Sequence, residues 1–410
     1  MPAHDTSRHR EDQPTRDRGP RHPVRALVVV VGLVALVGVL ALGGYAFYLQ
    51  RTVEGNIERE NLNADDNSVV TISPDRVGST QPGDDEAAAE DDGSVDLDGA
   101  VETDGETGEE QLEQDDGTAP LVGDDGQQIE VPRSEFVATS PERPAEAGEA
   151  MNFLIIGSDS RDLSVERGRS DVIVLMHIND ERDRVDLIHF PRDLFVPIAG
   201  TGGSSKINAS YSYGGAPLLV QTLQPLIDVP IDHVVIVNFE SFRAMTDAIG
   251  GVDVNVAEAS PGFPEGVMHM DGTTGLEFVR ERYALSQGDI SRGQRQQAFI
   301  QAIMTEALSR ETLTNPARLA AFVDAATTNL TVDADLQVGD MRDLGFAMRG
   351  VRGDDIYFET APWSGIDMHP VAGSIVLMAE EQMQVLSDHL KNDTMEDYTD
   401  PVSPRTGFGG

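Results

Sequence analysis

Three apolar runs near the middle of the chain indicate its fold class. They read MNFLIIG at 151–157, DVIVLMHI at 171–178 and VDLIHF at 185–190. Each run has the length of a buried strand, and the polar turn NDERDR at 179–184 joins the last two as a hairpin. We therefore predict three buried strands here, with a globular domain that begins at about Met151.

Helical and strand patterns alternate along the rest of this domain. Further strands are predicted at 233–239, 252–256 and 355–360, and helices at 215–227, 240–249, 273–284, 290–310, 316–328 and 336–349. In the helix 290–310, six apolar side chains fall on one face at the 3.6-residue period: Phe299, Ile300, Ile303, Met304, Ala307 and Leu308. This mixture predicts an α/β or α+β sandwich with a central sheet over residues 151–391, followed by a disordered tail at 392–410.

Composition excludes several classes of protein. The 410 residues include 71 acidic and 30 basic side chains, which gives a formal net charge of −41, and there is no cysteine. A nucleic-acid-binding protein needs a basic surface, so we expect no nucleic-acid partner. Without cysteine the chain forms no disulfide and no thiolate metal site.

The N-terminal region predicts a membrane anchor. Residues 1–25 contain six arginines, and residues 26–49 contain no charged side chain. Twenty-four residues at about 1.5 Å each span a hydrocarbon layer of about 30 Å. The positive-inside rule places residues 1–25 in the cytoplasm and the later domain outside a cell membrane that the chain crosses once. A cleaved signal peptide ending near Ala41-Leu42-Gly43 is the alternative, but its apolar region is usually shorter.

The region between this helix and the domain, residues 50–150, has the composition of a disordered acidic linker. From Asp84 to Glu130 it contains 19 acidic side chains and no basic one. Such a segment repels itself and has too little apolar surface to fold. A calcium-binding role is the alternative, but the loop pattern of an EF-hand is absent.

Arginines concentrated in so acidic a chain are candidates for binding phosphate. They are Arg192, Arg280, Arg282, Arg292 and Arg295. Helical spacing places Arg292, Arg295 and Gln296 on one face. Arginine suits planar contacts with phosphate oxygens, whereas the alternative is a set of ordinary surface ion pairs.

Two aspartates and one lysine complete the candidates. Asp159 and Asp171 lie at the ends of predicted strands, where carboxylates can hold Mg²⁺, although aspartates at such positions also cap turns. The stretch GGSSK at 202–206 lacks the spacing of a phosphate loop. We predict a flexible turn there, with Lys206 as a candidate contact to phosphate.

Six motifs, in this order, carry a resemblance to a known family. They are NFLIIGSDSR, RSDVIVL, LIHFPRDLFV, KINASYSYGG, GGVDV and DGTTGLEFVRERYALSQGDISRGQRQQ. The chain resembles the LytR–CpsA–Psr family, membrane-anchored enzymes that join glycopolymers to cell-wall peptidoglycan. The resemblance implies an α-β-α sandwich with a central mixed sheet.

The resemblance also assigns roles to residues of this chain. It implies that Asp159 and Asp171 bind Mg²⁺. Pyrophosphate would be contacted by Arg192, Arg280 and Arg282, with Asp171 as a further catalytic residue. Four more residues would help to bind the substrate: Arg161, Asp289, Arg292 and Gln296. Gln287-Gly288 stand where many relatives have a second aspartate.

The function implied by the resemblance is a Mg²⁺-dependent phosphotransfer. A glycopolymer moves from a polyprenyl-pyrophosphate carrier to a muramic-acid hydroxyl of peptidoglycan, and the cargo, arabinogalactan or a teichoic-type polymer, stays open. Two alternatives remain. One is a polyprenyl-pyrophosphate phosphatase that uses the same site, and the other is a non-catalytic protein with a cell-wall-binding or regulatory role.

Overall fold

The computed structural model describes residues 44–64, 68–73, 119–158, 170–281, 284–286, 289–328, 330–399 and 401, without the side chains of residues 171, 239, 240, 289 and 290. The chain divides into two units, Met1–Arg51 and Thr52–Gly410. Within those described ranges, no helix is both long and apolar enough to cross a membrane. The predicted tail 1–25 lies outside them, and only the end of the predicted membrane helix 26–49 is described, in a helix over 44–56.

Strands and helices alternate through the described residues. The strands are β1 Glu58–Glu60, β2 Val69–Ile72, β3 Leu121–Val122, β4 Gln128–Ile129, β5 Ser134–Val137, β6 Met151–Ser158, β7 Ser170–Ile178, β8 Val185–His189, β9 Leu194–Ile198, β10 Gly203–Lys206, β11 His233–Asn238, β12 Val252–Val256, β13 Gly266–Met270, β14 Leu330–Asp333, β15 Ile356–Thr360, β16 Trp363–His369 and β17 Gly373–Met378. The helices are α1 over 44–56, α2 Ile207–Ile227, α3 Phe239–Ala248, α4 Gly272–Arg280, α5 Asp289–Ala307, α6 Arg310–Thr314, α7 Pro316–Thr327, α8 Val338–Ala347 and α9 Glu380–Lys391. Each strand and helix predicted between residues 151 and 360 is confirmed, with shifted ends.

A mixed sheet of seven strands forms the centre, in the order β1-β14-β11-β6-β7-β8-β15. β11 runs parallel to β6 and β15 runs parallel to β8, whereas β7 is antiparallel to both of its neighbours. Ile173 and Leu175 of β7 face one core and Val174 faces another. Successive side chains of a strand point to opposite faces, so the apolar run that identified β7 is buried on both sides.

Helices cover both faces of this sheet, which confirms the α-β-α sandwich. Leu219 of α2 and Leu386 of α9 belong to the core on one face. Met304 of α5 and Leu344 of α8 pack against the core on the other face. Each such apolar side chain contributes roughly 1.5–3 kcal/mol when it is fully buried. A second sheet, in the order β16-β17-β9-β10-β3-β4, adds strands to the first core.

A separate core cluster of α3, α4, α5, β12 and β13 fixes the direction of α5. The rings of Phe242 and Phe299 lie 4.8 Å apart between their centroids, and those of Phe278 and Phe299 lie 6.5 Å apart. A Cβ on Gly275 would lie only 2.1 Å from Cζ of Phe299. Glycine at this position therefore lets α4 approach α5 closely, and the predicted apolar face of α5 packs into this cluster and onto the sheet.

The predicted disordered linker at 50–150 differs from the structure at both of its ends. β1 pairs with β14, β2 pairs with β5, and β3 joins the second sheet. Val70, Ile72 and Leu121 are buried in the first core. The average charge of the region conceals short apolar segments that fold because strands distant in sequence pair with them. Residues 74–118, with most of the acidic run, lie outside the described part of the chain.

The predicted disorder at 392–410 is also wrong for the first residues of that segment. Met395 and Tyr398 are buried. Asp393 lies 2.9 Å from Nε2 of the buried His177. The contact with His177 joins the segment after α9 to the carboxyl end of β7, so the folded region continues beyond residue 391.

The predicted flexible turn at 202–206 is a strand for most of its length. Gly203 to Lys206 pairs antiparallel with β9, and only Gly202 keeps the positive φ of a turn, at 72°. α2 follows at once, begins earlier than predicted, and is interrupted at Gly215, where φ is also 72°. The pairing with β9 is a contact between separate segments that local composition does not reveal, and it fixes Lys206 at the end of a strand.

Candidate functional site

The carboxyl ends of four strands meet at one edge of the central sheet. β6, β8, β11 and β15 run in the same direction and end at Ser158, His189, Asn238 and Thr360. β7 runs in the opposite direction and begins at this edge, at Ser170. Ligands of open α/β sheets bind at the carboxyl ends of their strands, so this edge is the place to look for a site.

Asp171 occupies a β-bulge at this edge. Gly157 pairs with Val172 and Ser158 pairs with Ser170, which leaves Asp171 as the extra residue between the two pairs. Bulges of this kind occur often beside active sites, because the extra residue turns the local backbone.

Several predicted site residues lie outside what the structure describes. Asp159, Arg161 and Arg282 are among them, and the backbones of Asp171 and Asp289 are placed on β7 and α5 without their side chains. The Mg²⁺ pair therefore stays a prediction. Among the residues that are described, no group of three or more His, Asp or Glu side chains is arranged to hold a metal ion.

Arg192 and Lys206 meet at a shared carboxylate. Oδ1 of Asp193 lies 3.8 Å from Nε of Arg192 and 3.4 Å from Nζ of Lys206. All three residues are buried. The N–H of Asn208, at the start of α2, donates to the main-chain oxygen of Arg192 at 3.2 Å and ties both segments together. Two cationic side chains therefore lie side by side in a buried position, and arginine and lysine groups of this kind bind anions such as phosphate.

The first turns of α5 lie against the same edge. A Cβ on Gly293 would lie 2.6 Å from Cε1 of His189, so this glycine lets the helix rest directly on the end of β8. One turn later, the amide of Gln297 donates to a main-chain oxygen of β15 at 2.8 Å. Arg292 and Gln296, which the sequence predicts to bind substrate, are buried in these two turns.

Arg280 is exposed at the last residue of α4. α4 packs on α5 through Phe278 and Phe299 of the third core cluster. The structure therefore brings Arg192, Lys206 and the Arg292 region to the sheet edge, and it places Arg280 on the helix that packs beside α5.

A sequence model of the LytR_cpsA_psr family matches residues 121–392, well over half of the chain. The chain belongs to the LytR–CpsA–Psr family. The matched region begins at β3, thirty residues before the predicted start of the domain, in agreement with the burial of Leu121.

Curated relatives of the LytR–CpsA–Psr chain carry the name polyisoprenyl-teichoic acid–peptidoglycan teichoic acid transferase TagU. The one from Bacillus cereus is 35% identical over 199 residues, which are 47% of this chain and 64% of the relative. The one from Oceanobacillus iheyensis is 38% identical over 198 residues, 46% of this chain and 60% of the relative. The match thus spans less than two thirds of the length of either relative.

Solved structures show the same fold. The crystal structure of B. subtilis TagV is 25% identical with a TM-score of 0.51 and covers 61% of this chain and 98% of TagV. A LytR-Csp2A-Psr enzyme from Actinomyces oris is 23% identical with a TM-score of 0.50, over 61% of this chain and 93% of the other. The mixed α/β sandwich is therefore the fold of the LytR–CpsA–Psr family.

Sequence reasoning missed the contacts of one arginine and of two acidic residues. Helical spacing grouped Arg295 with Arg292, but Nη2 of Arg295 donates to the main-chain oxygen of Glu258 at 2.8 Å and to the hydroxyl of Ser260 at 2.9 Å. The FPRD motif contains Asp193, but the sequence does not indicate its contact with Lys206, thirteen residues later. Glu258 carries no local signal, because its partners lie on another segment of the chain.

Proposed function

We propose that this protein transfers a glycopolymer from a polyprenyl-pyrophosphate carrier to peptidoglycan. Membership of the LytR–CpsA–Psr family supports the reaction class, and relatives named as teichoic acid transferases support the type of donor and acceptor. The observation that carries the proposal is the convergence of Arg192 and Lys206 on Asp193, at the sheet edge that also holds the first turns of α5.

A diphosphate is the ligand that fits this cationic edge. The chain has a net charge of −41, so its surface as a whole repels anions. Buried cationic groups overcome that repulsion locally, since electrostatic interactions strengthen where water is excluded. The planar fork of arginine can contact two phosphate oxygens at once, while lysine acts as a point charge.

In the proposed reaction, a muramic-acid hydroxyl of peptidoglycan attacks the phosphorus that bears the glycan. A new phosphorus–oxygen bond forms, the bond to the bridging oxygen breaks, and polyprenyl monophosphate leaves with that oxygen. The hydroxyl proton passes to a base, and the product is a phosphodiester between glycan and peptidoglycan. Arg192, Arg280 and Arg282, with Lys206, would stabilise the charge that gathers on the phosphate oxygens. Arg161, Asp289, Arg292 and Gln296 would line the substrate site.

Magnesium belongs to the same proposal. Asp159 and Asp171 would hold the ion, as carboxylates that leave room for water and phosphate oxygens, and the ion would neutralise charge on the diphosphate. The proposed location is a cell membrane crossed once by residues 26–49, with the catalytic domain outside. There the domain can reach both a lipid-linked donor and the wall.

The test is transfer of a labelled glycan by the full chain in detergent. Arg192→Lys keeps a charge at the site but loses the planar fork, and we expect kcat/KM to fall by about 10²-fold, in the range seen when one preorganised donor is removed. Arg342→Ala is the control, because Arg342 is exposed on α8 and forms an ion pair with its neighbour Asp343. Equal rates for wild type and Arg192→Lys would overturn the proposal.

Assays with and without peptidoglycan, the proposed acceptor, distinguish the transferase from a phosphatase and from a non-catalytic protein. A phosphatase would release polyprenyl monophosphate at the same rate whether peptidoglycan is present or not. A wall-binding or regulatory protein would retain peptidoglycan but release no lipid phosphate. The proposed transferase releases lipid phosphate only as linked glycan appears.

A further inference from the structure

The carboxylate of Glu258 joins the loop after β12 to the segment between α4 and α5. Its Oε1 accepts the N–H of Ser286 at 2.5 Å, and its Oε2 accepts the hydroxyl of Ser291 at 2.8 Å. The hydrogen bond from the N–H of Ser286 has the largest effect on the pKa of Glu258 and lowers it; burial opposes this, and the bond from Ser291 lowers the pKa further. Glu258 is therefore ionised at neutral pH, and both of its hydrogen bonds are charge-assisted.

Arg295 makes a second link between the same two segments. Its Nη2 bridges the main-chain oxygen of Glu258 and the hydroxyl of Ser260. The guanidinium group is buried, and its carbon lies 4.5 Å from the ring centroid of Phe278. Burial lowers the pKa of Arg295, and the charges of Glu281 and Glu258 oppose that effect. These contacts occupy Arg295 in holding the loop.

The two links lie close in sequence to two arginines that the proposed reaction uses. Ser286 follows Arg280 by six residues, and Ser291 directly precedes Arg292. We propose that Glu258 and Arg295 are positioning residues, which hold Ser286 and the first turns of α5 against the loop after β12 so that Arg280 and Arg292 are presented to the diphosphate. This inference rests on the proposed function, and it deepens it by naming what fixes the geometry of the donor site.

The inference predicts a specific kinetic signature. Displacement of a binding arginine by about 1 Å can cost on the order of 10²-fold in rate. Glu258→Ala should therefore raise the KM for the lipid-linked donor and lower kcat/KM by about 10- to 100-fold. The KM for peptidoglycan should stay unchanged. A purely structural defect would reduce the folded fraction and lower kcat without a change in the donor KM.

Two further variants make the test selective. Glu258→Gln retains an acceptor for Ser286 and an amide that can donate to the oxygen of Ser291, so its donor KM should stay within about threefold of wild type. Glu265→Ala removes an exposed carboxylate from the same loop and should behave as wild type. A donor KM of Glu258→Ala within about twofold of wild type would overturn the inference, as would a Glu258→Gln variant as impaired as Glu258→Ala.

Hydrogen exchange of the ligand-free full chain provides a readout that needs no transfer. Glu258→Ala should speed exchange of amides in residues 284–295 by about tenfold or more, while Glu258→Gln should not. If the wild type shows no transfer, the proposed function fails, and the exchange rates still decide whether Glu258 holds this segment. Unchanged exchange in Glu258→Ala would refute the positioning role even if transfer were lost.

Discussion

The contact between α5 and the end of β8 allows a prediction about Gly293. A Cβ at this position would lie 2.6 Å from Cε1, 3.2 Å from Nε2 and 3.3 Å from Nδ1 of His189. Carbon atoms pack at about 3.5–4.0 Å, so in Gly293→Ala either the imidazole or the helix must move by about 1 Å. Overpacking costs about 1–3 kcal/mol, and alanine regains about 1 kcal/mol of helix propensity. The net loss of unfolding free energy should be about 0–2 kcal/mol.

Gly293→Ala should also lower the rate of transfer. Arg292 precedes the displaced position, and a shift of about 1 Å in a binding group can cost on the order of 10²-fold. We expect kcat/KM for the lipid-linked donor to fall by about 10- to 100-fold, measured beside urea unfolding of the same samples. Gly345→Ala on α8 is the matched control, since its Cβ meets open space, and it should gain up to about 1 kcal/mol with unchanged transfer. If Gly293→Ala transfers glycan at the wild-type rate, the idea that catalysis depends on the position of α5 against the end of β8 is refuted.

Three further predictions concern stability, each measured by urea unfolding. Gly275→Ala should lose about 1–3 kcal/mol or more, because its Cβ would lie 2.1 Å from Cζ of Phe299, and an unchanged midpoint would contradict the close approach of α4 and α5. Burial is the largest effect on the pKa of His233 and lowers it, but the hydrogen bond from its ring to Asp333 at 3.1 Å and the charges of nearby aspartates together outweigh burial and raise that pKa. Burial raises the pKa of Asp333, but the same bond and the hydrogen bonds from backbone N–H groups together hold that pKa low. Their coupling in a double-mutant cycle should therefore be greatest between about pH 4 and 6.5 and decline as pH rises through the raised pKa of His233, so equal coupling at about pH 5.5 and 8.5 would contradict it. Tyr213→Phe should cost about 1–2 kcal/mol, since its buried hydroxyl donates to a main-chain oxygen just before β3, and a neutral effect would show that this bond contributes nothing.

Five of the seven strands of the central sheet were predictable because their pattern is local. Apolar runs of strand length, bounded by polar turns, identify β6, β7 and β8 directly. Asn315 was also predictable, since its side chain caps α7 just before Pro316. These features depend on neighbours in sequence, and the structure confirms them.

The missed elements depend on contacts between distant segments. β2 carries only two buried side chains, Val70 and Ile72, and is stabilised by β5 some sixty residues later. The first turns of α2 contain serines, tyrosines and glycines, which have low helix propensity, and they are helical because the surrounding core buries them.

The sequence predicted which residues belong to the candidate site better than it predicted how they are arranged in space. The order of the motifs indicated Arg192, Arg280 and Arg292 as site residues. In the structure, Arg192 and Arg292 lie at the same edge of the central sheet. Spacing alone could not separate Arg292 from Arg295, because the contact of Arg295 with Glu258 forms only when the loop after β12 folds over α5.

The most direct test of the transferase is a count of both products in one reaction. The full chain in detergent is supplied with a polyprenyl-pyrophosphate-linked glycan and peptidoglycan, and polyprenyl monophosphate and wall-linked glycan phosphodiester are quantified together. We predict that the two products appear in a ratio of about one to one and that the rates of both fall together by about 10²-fold in Arg192→Lys. Lipid monophosphate that accumulates without linked glycan would contradict the account.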